Sequence, residues 1–159
     1  MMSDSTADLS DELNGRARIA TPGLRRFGGR SRFSGIISTV KCFEDNSLVR
    51  TALEERAEGR VLVVDGGASM HCALLGDMLA EMAATNGWSG IIVNGCIRDS
   101  AVIADIDIGV RALDTHPRKS VKRGAGERDV AVRFSDLDFV PGEFVYADED
   151  GVLVTAQPA

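Results

Sequence analysis

Residues 76–99 read GDMLAEMAATNGWSGIIVNGCIRD, and this stretch decides the fold of the chain. Asp77 stands near its start, at the head of an apolar-patterned helix. The apolar run IIVNG at residues 91–95 then predicts a buried strand, and the stretch ends in the pair Arg98-Asp99. Twenty residues separate Asp77 from Arg98. A helix followed directly by a continuously apolar strand is typical of a parallel α/β unit.

The flanking sequence continues this alternation of strands and helices. VLVVD at residues 61–65 predicts a central strand, and IGVRAL at residues 108–113 predicts another strand of the same sheet. IISTVKCF at residues 36–43 alternates well enough for a further strand. The C-terminal third changes to a period of two and predicts antiparallel hairpins, one of them marked by Asp150-Gly151. The pattern predicts an α/β protein with a mixed sheet.

The helix boundaries follow from glycines and capping residues. Residues 74–83 place six apolar side chains on one helical face, and we expect the helix to begin at Gly76. A glycine inside that helix would cost about 1 kcal/mol relative to alanine. Asp45 or Asn46 is expected to cap a second helix.

At the N-terminus, Thr6 is predicted to cap a short helix, and residues 1–5 are predicted to be disordered. A chain of 159 residues without a linker or an internal repeat predicts a single domain over residues 1–159.

Composition excludes several classes of protein. The net charge of −6 argues against a general nucleic-acid binder. The polar, acidic N-terminus does not resemble a signal peptide, and no apolar run is long enough to span a membrane. Cys42, Cys72 and Cys96 fit no zinc spacing and are interpreted as reduced structural thiols. We therefore expect a cytoplasmic protein without membrane or direct nucleic-acid partners.

Asp77 has two interpretations. If the helix begins at Gly76, the free N–H groups of its first turn form an anion site that the helix dipole strengthens, and a ligand carboxylate would suit it. Alternatively, Asp77 is only a favourable acid in a first turn.

The pair Arg98-Asp99 is also open to two interpretations. It follows the carboxyl end of a central strand, where open α/β sheets bind ligands. An arginine beside an oxygen donor suits a keto acid held on a hard divalent cation. In the structural alternative, Asp99 or Ser100 caps a short helix and Arg98 is a surface cation.

Two arginine-rich segments carry weaker signals. Residues 23–34 (GLRRFGGRSRFS) contain four arginines among glycines, and they form either an anion-binding loop or a solvated surface or subunit contact. Residues 116–129 form a long polar segment. Loops of this length usually have a function or form an interface. The basic side chains of that segment are interpreted as a solvated loop or a subunit boundary.

The remaining polar candidates are interpreted as structural. His71 and His116 have no partner at metal-ligand spacing and belong to no catalytic triad. Asp65-Gly66-Gly67 follows a strand but lacks the GxGxxG pattern, so a turn is the favoured interpretation.

Taken together, the sequence resembles the RraA-like family, which joins regulators of ribonuclease E activity and class II 4-hydroxy-4-methyl-2-oxoglutarate aldolases. The resemblance covers residues 6–154. It includes the aldolase signature of an aspartate, twenty residues and an Arg-Asp pair, here Asp77, Arg98 and Asp99. The segments that carry it are FGGRSRFSGIISTVKCFEDN, GRVLVVDGGAS, ALLGDMLAEMA, GWSGIIVNGCIRD, DIGVRAL, PRKS, GAGERDV and FVYADEDGVLV.

The resemblance implies a swivelling β/β/α fold in a ring-shaped homotrimer, or a dimer of trimers, with active sites between subunits. It assigns Asp99 to a divalent cation, Mg²⁺ or Mn²⁺, and Arg98 to the carbonyl end of the keto acid. Asp77 would position a water or act as an acid or base. The substrate carboxylate would bind the backbone of four residues, Gly76, Asp77, Met78 and Leu79.

The activity that the resemblance implies is cleavage of 4-hydroxy-4-methyl-2-oxoglutarate and related 4-hydroxy-2-oxo acids to pyruvate, through an enolate that the metal and Arg98 stabilise. Oxaloacetate decarboxylation passes through the same enolate and is expected as a second activity. The alternative is a non-enzymatic inhibitor of a ribonuclease E-type endonuclease. Intact Asp77, Arg98 and Asp99 favour the enzyme, whereas the absence of a glycine-rich cofactor loop disfavours a third possibility, a methyltransferase.

Overall fold

The computed structural model describes residues 4–159, which contain four helices and twelve strands. The helices are α1 (Thr6–Leu13), α2 (Ser47–Leu53), α3 (Asp77–Thr85) and α4 (Ser100–Ile103). The strands are β1 (Arg18–Ile19), β2 (Arg25–Phe27), β3 (Phe33–Lys41), β4 (Val61–Asp65), β5 (Ala73–Leu75), β6 (Gly90–Ile97), β7 (Gly109–Thr115), β8 (Glu127–Arg128), β9 (Val132–Phe134), β10 (Leu137–Phe139), β11 (Phe144–Asp148) and β12 (Gly151–Thr155).

Ten strands form one curled mixed sheet, and β9 and β10 form a separate hairpin. The centre of the sheet has the order β3-β4-β6-β7, and all three pairings are parallel. Each of these pairs is joined through a helix, because parallel neighbours need a crossover connection. The antiparallel strands β11, β12 and β1 extend the sheet beyond β3, and β2 extends it beyond β7. The predicted α/β fold with a mixed sheet is confirmed.

Strand β3 joins the parallel and antiparallel parts of the sheet. Its residues 33–36 pair with β11, whereas its residues 37–41 pair with β4. The strand is three residues longer at its start than the sequence pattern predicted. The extension includes Phe33, whose ring takes the space where the Cβ atoms of Gly90 and Gly109 would otherwise lie. An aromatic residue therefore packs directly on two glycine backbones, and no other residue type fits at these two positions.

Two large hydrophobic clusters lie on the two faces of the central sheet, and a third, small cluster contains Leu9 and Leu153. On β4, Leu62 and Val64 pack towards the helices, whereas Val61 and Val63 pack towards the antiparallel strands and the β9–β10 hairpin. This alternation follows from the period of two along a strand. Helices, parallel sheet and a second β layer thus stack in the swivelling β/β/α arrangement.

The structure corrects the prediction for the start of the central helix region. α3 begins at Asp77 with Gly76 as its N-cap, as expected, but Leu74 and Leu75 belong to strand β5. β5 pairs in parallel with the end of β6, and this pairing buries both leucines. The prediction failed because Leu74 and Leu75 fit the helical period by their spacing, whereas pairing in the sheet determines their conformation.

The N-terminal cap differs from the predicted one. Ser5, and not Thr6, is the N-cap of α1, and its side chain accepts a hydrogen bond from the Asp8 N–H group. Thr6 instead donates from its backbone and its hydroxyl to the buried carboxylate of Asp148. Of the segment predicted to be disordered, residues 1–3 lie outside the described residues. Within residues 4–159, no helix is long and apolar enough to cross a membrane.

Candidate active site

The two ends of the 76–99 stretch meet in one cavity of about 120 Å³. We call it the candidate active cavity. It lies where β5 and β6 end and where α3 and α4 begin, so the carboxyl ends of parallel strands supply its floor. The residues that line it are Asn46, Arg50, Ala73, Leu75, Gly76, Asp77, Met78, Leu79, Arg98, Asp99, Lys119 and Lys122.

A hydrogen bond closes the stretch on itself. The backbone N–H of Asp77 donates to the Oδ2 atom of Asp99 over 3.0 Å. Asp99 occupies the N-cap position of α4 with φ of 57°, in the left-handed region, and its side chain makes no capping hydrogen bond there. The alternative in which the Asp99 side chain caps α4 is therefore wrong. The carboxylate turns towards the first turn of α3 instead.

Gly76 permits this approach. A Cβ atom at this position would lie 2.9 Å from Asp99 Oδ2 and 3.5 Å from Arg98 Nε. Its φ of −127° is open to any residue, so the glycine is required by space and not by conformation. The sequence placed this glycine at the start of the helix but could not show which side chains approach it.

Arg98 is anchored by its backbone and has an uncommitted side chain. Its N–H donates to the carbonyl of Leu75 over 2.9 Å, which ties the end of β6 to the end of β5. The half-buried guanidinium crosses Gly76 and forms no ion pair with a carboxylate of residues 4–159. It thus presents charge and several N–H donors to the cavity.

A buried polar pair positions the long polar loop, residues 116–126, over the cavity. Asp45 Oδ2 accepts from the N–H groups of Arg123 and Ala125 over 2.8 and 3.1 Å. Burial by itself raises the pKa of Asp45, but these bonds and those from Ser47 outweigh it and hold the pKa well below its ordinary value. Of the two expected caps, Asn46 occupies the N-cap position of α2 but its side chain makes no capping bond, whereas Asp45 accepts the Ser47 N–H over 2.9 Å and also anchors the loop.

Asn46 completes this attachment. Its Oδ1 atom accepts from the hydroxyl of Ser120 over 2.9 Å, and its amide donates to the Leu74 carbonyl over 3.1 Å. The loop also joins the end of β5, because the Ala73 N–H donates to the Arg118 carbonyl over 2.7 Å. Backbone and side-chain bonds thus hold the loop at the mouth of the cavity.

This attachment brings three basic side chains to the cavity that were not predicted for the site. Lys119 and Lys122 come from the loop, and Arg50 comes from α2. All three are exposed and form no ion pair with a carboxylate of residues 4–159. The length, polarity and basic side chains of the loop were the sequence signals for the two lysines, and Arg50 had none. Together with Arg98, they give the cavity four cations against two aspartates.

The donor set fits a magnesium-type cation and does not fit a metal held by protein ligands alone. Residues 4–159 contain no group of three side chains that could enclose a metal ion. Asp99 is exposed, and only its Oδ2 atom is used by a protein donor. Mg²⁺ keeps several waters and commonly takes one or two carboxylates besides its substrate, so Asp99 is suited to it. Zinc would require more nitrogen or sulfur ligands.

The other polar candidates lie outside the cavity. His71 Nδ1 is 3.0 Å from Glu44 Oε2, and Ser69 donates to the same oxygen over 2.5 Å. These bonds, that from Ser69 first, hold the pKa of Glu44 below its ordinary value. His116 Nδ1 accepts the Arg118 N–H, so neither histidine faces Asp77 or Arg98.

The glycine turn and the cysteines also have structural contacts. Asp65 Oδ1 accepts the Gly67 N–H over 3.0 Å and closes a tight turn. The three cysteines are buried and free, and burial raises the pKa of Cys42 to about 12. Such a thiol stays protonated and is a poor nucleophile.

Comparisons with known proteins define the class. The family model RraA-like (Aldolase/RraA) matches residues 6–154, so this chain belongs to the RraA-like family. Two bacterial relatives, from Alkalilimnicola ehrlichii and Laribacter hongkongensis, are each 58% identical over 153 residues. The match covers 96% of this chain and 95% and 96% of theirs. Both are provisionally named 4-hydroxy-4-methyl-2-oxoglutarate aldolase.

Two solved structures share the fold at a TM-score of 0.95. One, from Geobacillus kaustophilus, is described as an S-adenosylmethionine:2-dimethylmenaquinone methyltransferase; it is 48% identical and covers 98% of this chain and 96% of its own. The other, from Thermus thermophilus, is described as the RNA-processing inhibitor RraA; it is 44% identical and covers 99% and 96%. One fold thus carries three functional names, and the site has to distinguish them.

Proposed function

We propose that this protein is a metal-dependent class II aldolase that cleaves 4-hydroxy-4-methyl-2-oxoglutarate and related 4-hydroxy-2-oxo acids to pyruvate. The observation that carries the proposal is the meeting of Asp77, Arg98 and Asp99 in one cavity, with the Asp77 N–H bonded to Asp99. Three observations support this chemistry: the chain belongs to the RraA-like family, similar proteins have a provisional aldolase name, and the three side chains meet in one cavity. Oxaloacetate decarboxylation follows as a second activity, because it forms the same pyruvate enolate.

The substrate's 2-oxo carboxylate would bind at the start of α3. Since Asp99 already accepts the Asp77 N–H, the N–H groups of Met78 and Leu79 are the donors left in the first turn. The helix dipole adds favourable charge at this end. Of the four residues whose backbone was expected to bind the carboxylate, Gly76, Met78 and Leu79 therefore remain, because the Asp77 N–H is already used.

Arg98 would stabilise the developing enolate. Its guanidinium lies beside Gly76 and is not neutralised by a carboxylate, so its charge is available where the carbonyl oxygen gains negative charge. Asp77 would move the proton between the 4-hydroxyl and solvent, directly or through a water. A divalent cation held by Asp99, when bound, supplies Lewis acidity towards the 2-oxo group.

The basic side chains favour a substrate with two carboxylates. Arg50, Lys119 and Lys122 surround the mouth of a cavity whose inner end is suited to the 2-oxo carboxylate. A second carboxylate at the far end of the substrate would meet these cations. 4-Hydroxy-4-methyl-2-oxoglutarate and oxaloacetate both have this second group.

Homotrimer formation is part of the proposal. Two large apolar side chains are exposed here: Met78, which lines the cavity, and Val121, between Lys119 and Lys122, with 75% and 60% of their surface accessible. Exposed apolar groups of this size are typical of contacts with another protein surface. We expect size-exclusion chromatography with light scattering to give three chains or six, and a monomer at micromolar concentration would contradict this part.

The decisive experiment measures pyruvate release from 4-hydroxy-4-methyl-2-oxoglutarate and from oxaloacetate. Turnover is expected with Mg²⁺ or Mn²⁺, to disappear with a chelator and to return when excess metal is added. Heat-inactivated protein with the same metal controls for the spontaneous decarboxylation of oxaloacetate. An absence of metal-dependent turnover on both substrates would reject the aldolase.

The second candidate function is inhibition of a ribonuclease E-type endonuclease. Its support is the close fold match to the Thermus RNA-processing inhibitor. Addition of this protein to an endonuclease assay tests it, with Arg98→Ala as a variant that separates the two functions. Inhibition that survives Arg98→Ala would establish a surface role independent of the cavity.

A further inference from the structure

A second cavity, of about 360 Å³, lies at the open seam of the curled sheet. Its walls come from β1, the β1–β2 connection and β2 on one side and from the β11–β12 turn on the other, with β7 behind. It shares no residue with the candidate active cavity. We call it the arginine pocket, because Arg26 and Arg111 both line it.

These two arginines are direct cross-strand neighbours. In the antiparallel pairing of β2 and β7, Arg26 is opposite Arg111, so both side chains leave the same face. Like charges in this position are destabilising unless an opposite charge lies between them. Burial first, and then repulsion from Arg26, lower the pKa of Arg111 to about 10.

Two of the surrounding acids, Asp148 and Glu149, make hydrogen bonds to other groups. The Asp148 carboxylate accepts from Thr6 and from the Asp150 N–H, and Glu149 accepts from Ser31 and lies 4.0 Å from Arg32. No carboxylate of residues 4–159 lies within ion-pair distance of Arg26 or Arg111.

The other arginines of the 23–34 segment behave differently. Arg25 pairs with Asp114 and Arg30 with Asp107, at 2.6 and 3.2 Å. Arg26 alone of the four faces another cation. This alignment favours an anion-binding segment over a merely solvated surface, which has no reason to place Arg26 opposite Arg111.

Arg111 is built into the fold and is not a surface group. It is only 3% exposed, its guanidinium lies over the Phe33 ring, and its Nη2 atom donates to the carbonyls of Ser31 and Asp148. Two backbone carbonyls satisfy one nitrogen but do not neutralise the charge. A buried cation with donors facing a cavity is a built anion site.

We propose that the arginine pocket binds a small organic monocarboxylate with a short apolar body. The carboxylate would lie between Arg26 and Arg111 and relieve their repulsion. The apolar body would contact Ile19, Leu24 and Val152, of which Ile19 has 54% of its surface exposed. Glu149 and Asp150 on the opposite wall disfavour a ligand of higher negative charge, such as a phosphate dianion.

Benzoate is a suitable probe, and uncharged benzamide is its matched control. Titration of methyl-labelled protein is followed by NMR at the Ile19 and Val152 methyl groups, with Ile91 in the core as a reference. Benzoate at millimolar concentration is expected to shift the Ile19 and Val152 signals, and benzamide is expected to bind at least about tenfold more weakly. Equal binding of the two probes, or unshifted signals, would overturn the proposal.

Arg26→Gln tests the pair without risk to the fold, because Arg26 is exposed. Benzoate affinity is expected to fall about tenfold or more, whereas the exposed, distant Arg56→Gln should leave it unchanged. Without ligand, Arg26→Gln should raise the thermal midpoint by about 1–3 °C, since it removes a like-charge contact. Unchanged affinity in Arg26→Gln overturns the site. So do methyl shifts that follow protein concentration, because a second copy would then fill the pocket.

Discussion

The two cationic cavities of this molecule differ in what accompanies their arginines. In the candidate active cavity, Arg98 lies beside Asp77 and Asp99 and the open first turn of α3. In the arginine pocket, Arg26 and Arg111 face each other without a paired acid. In the first cavity an exposed carboxylate lies beside the cation, an arrangement suited to proton transfer and cation binding. In the second, Glu149 and Asp150 lie on the opposite wall, and the two adjacent arginines are suited to binding an anion. The proposed aldolase chemistry of the first cavity and the proposed anion binding of the second both depend on this difference.

The largest expected effect comes from removing the Arg98 guanidinium from the candidate active cavity. Arg98→Ala should lower pyruvate-forming turnover by roughly 10²-fold or more, the scale of losing one donor to a developing oxyanion. Arg98→Lys should recover little, because an ammonium group cannot reproduce the planar donors. Steady-state kinetics measure this, with thermal melting as the control for folding. A near-normal turnover number in Arg98→Ala would show that Arg98 takes no part in the mechanism. The comparison of the two cavities would then give Arg98 no catalytic role.

The next effect concerns the buried acid that holds the loop over the active cavity. Asp45→Asn should lower the free energy of unfolding by about 2–3 kcal/mol, since it weakens charge-assisted hydrogen bonds to buried N–H groups. Urea unfolding measures the change, and the exposed Asp11→Asn is the matched control. A loss below about 0.5 kcal/mol would mean that the loop is held by its other contacts.

The same variant has a defined pH dependence. The pKa of Asp45 is lowered from an ordinary 3.8, so its stabilisation is complete above that value and is lost as pH falls below it towards the folded pKa. The difference in unfolding free energy between wild type and Asp45→Asn should therefore be constant from pH 7 to about 5 and shrink below about pH 4. A difference that persists unchanged at pH 3 would argue against the carboxylate as its source.

A smaller effect is expected at the glycine that brings the two acids together. Gly76→Ala would place a methyl group 2.9 Å from Asp99 Oδ2, and the flexible carboxylate would move away. Turnover should fall about tenfold with less than about 1 kcal/mol change in stability. Gly151→Ala is the control, because an added methyl group there meets no atom within 4 Å. Equal turnover in the two variants would show that the position of Asp99 does not limit the reaction.

The smallest effect should come from the exposed lysines at the mouth. Lys122→Gln and Lys119→Gln should each raise KM for a dicarboxylate substrate about three- to fivefold with little change in kcat, because exposed charges contribute at most about 1 kcal/mol. The effect should shrink as ionic strength rises. Lys41→Gln, exposed at the end of β3, is the control. A drop in kcat instead would assign these lysines to the reaction itself.

The sequence predicts the parts of the fold and site that are close together in the chain. Asp77, Arg98 and Asp99 belong to one strand–helix–strand region, so position at strand and helix ends was enough to propose them. Lys119 and Lys122 could not be placed, because their loop is fixed by Asp45, about 75 positions earlier. No local pattern records such a contact.

The errors at the element ends have a similar cause. Leu74 and Leu75 fit a helical face by spacing, yet pairing with β6 makes them a strand. Ser5 and Thr6 are equally good caps by composition, and only the distant Asp148 decides that Thr6 turns away. Arg26 and Arg111 look like ordinary basic residues until the β2–β7 register aligns them. Local sequence patterns predicted an element correctly where the tertiary contacts favoured the same conformation.

The hydrogen bond between Asp77 and Asp99 spans 22 positions, whereas the bond from Arg111 to Ser31 spans 80. Short loops close faster than long ones, so this difference bears on the order in which the chain folds. We expect the contact between Asp77 and Asp99 to form early, before the C-terminal strands have left the ribosome, whereas the wall with Lys119 and Lys122 is added when their loop binds Asp45. The seam that contains Arg111 must wait for both ends of the sheet. A chain that stalls during folding would therefore have a folded 76–99 stretch and an open seam.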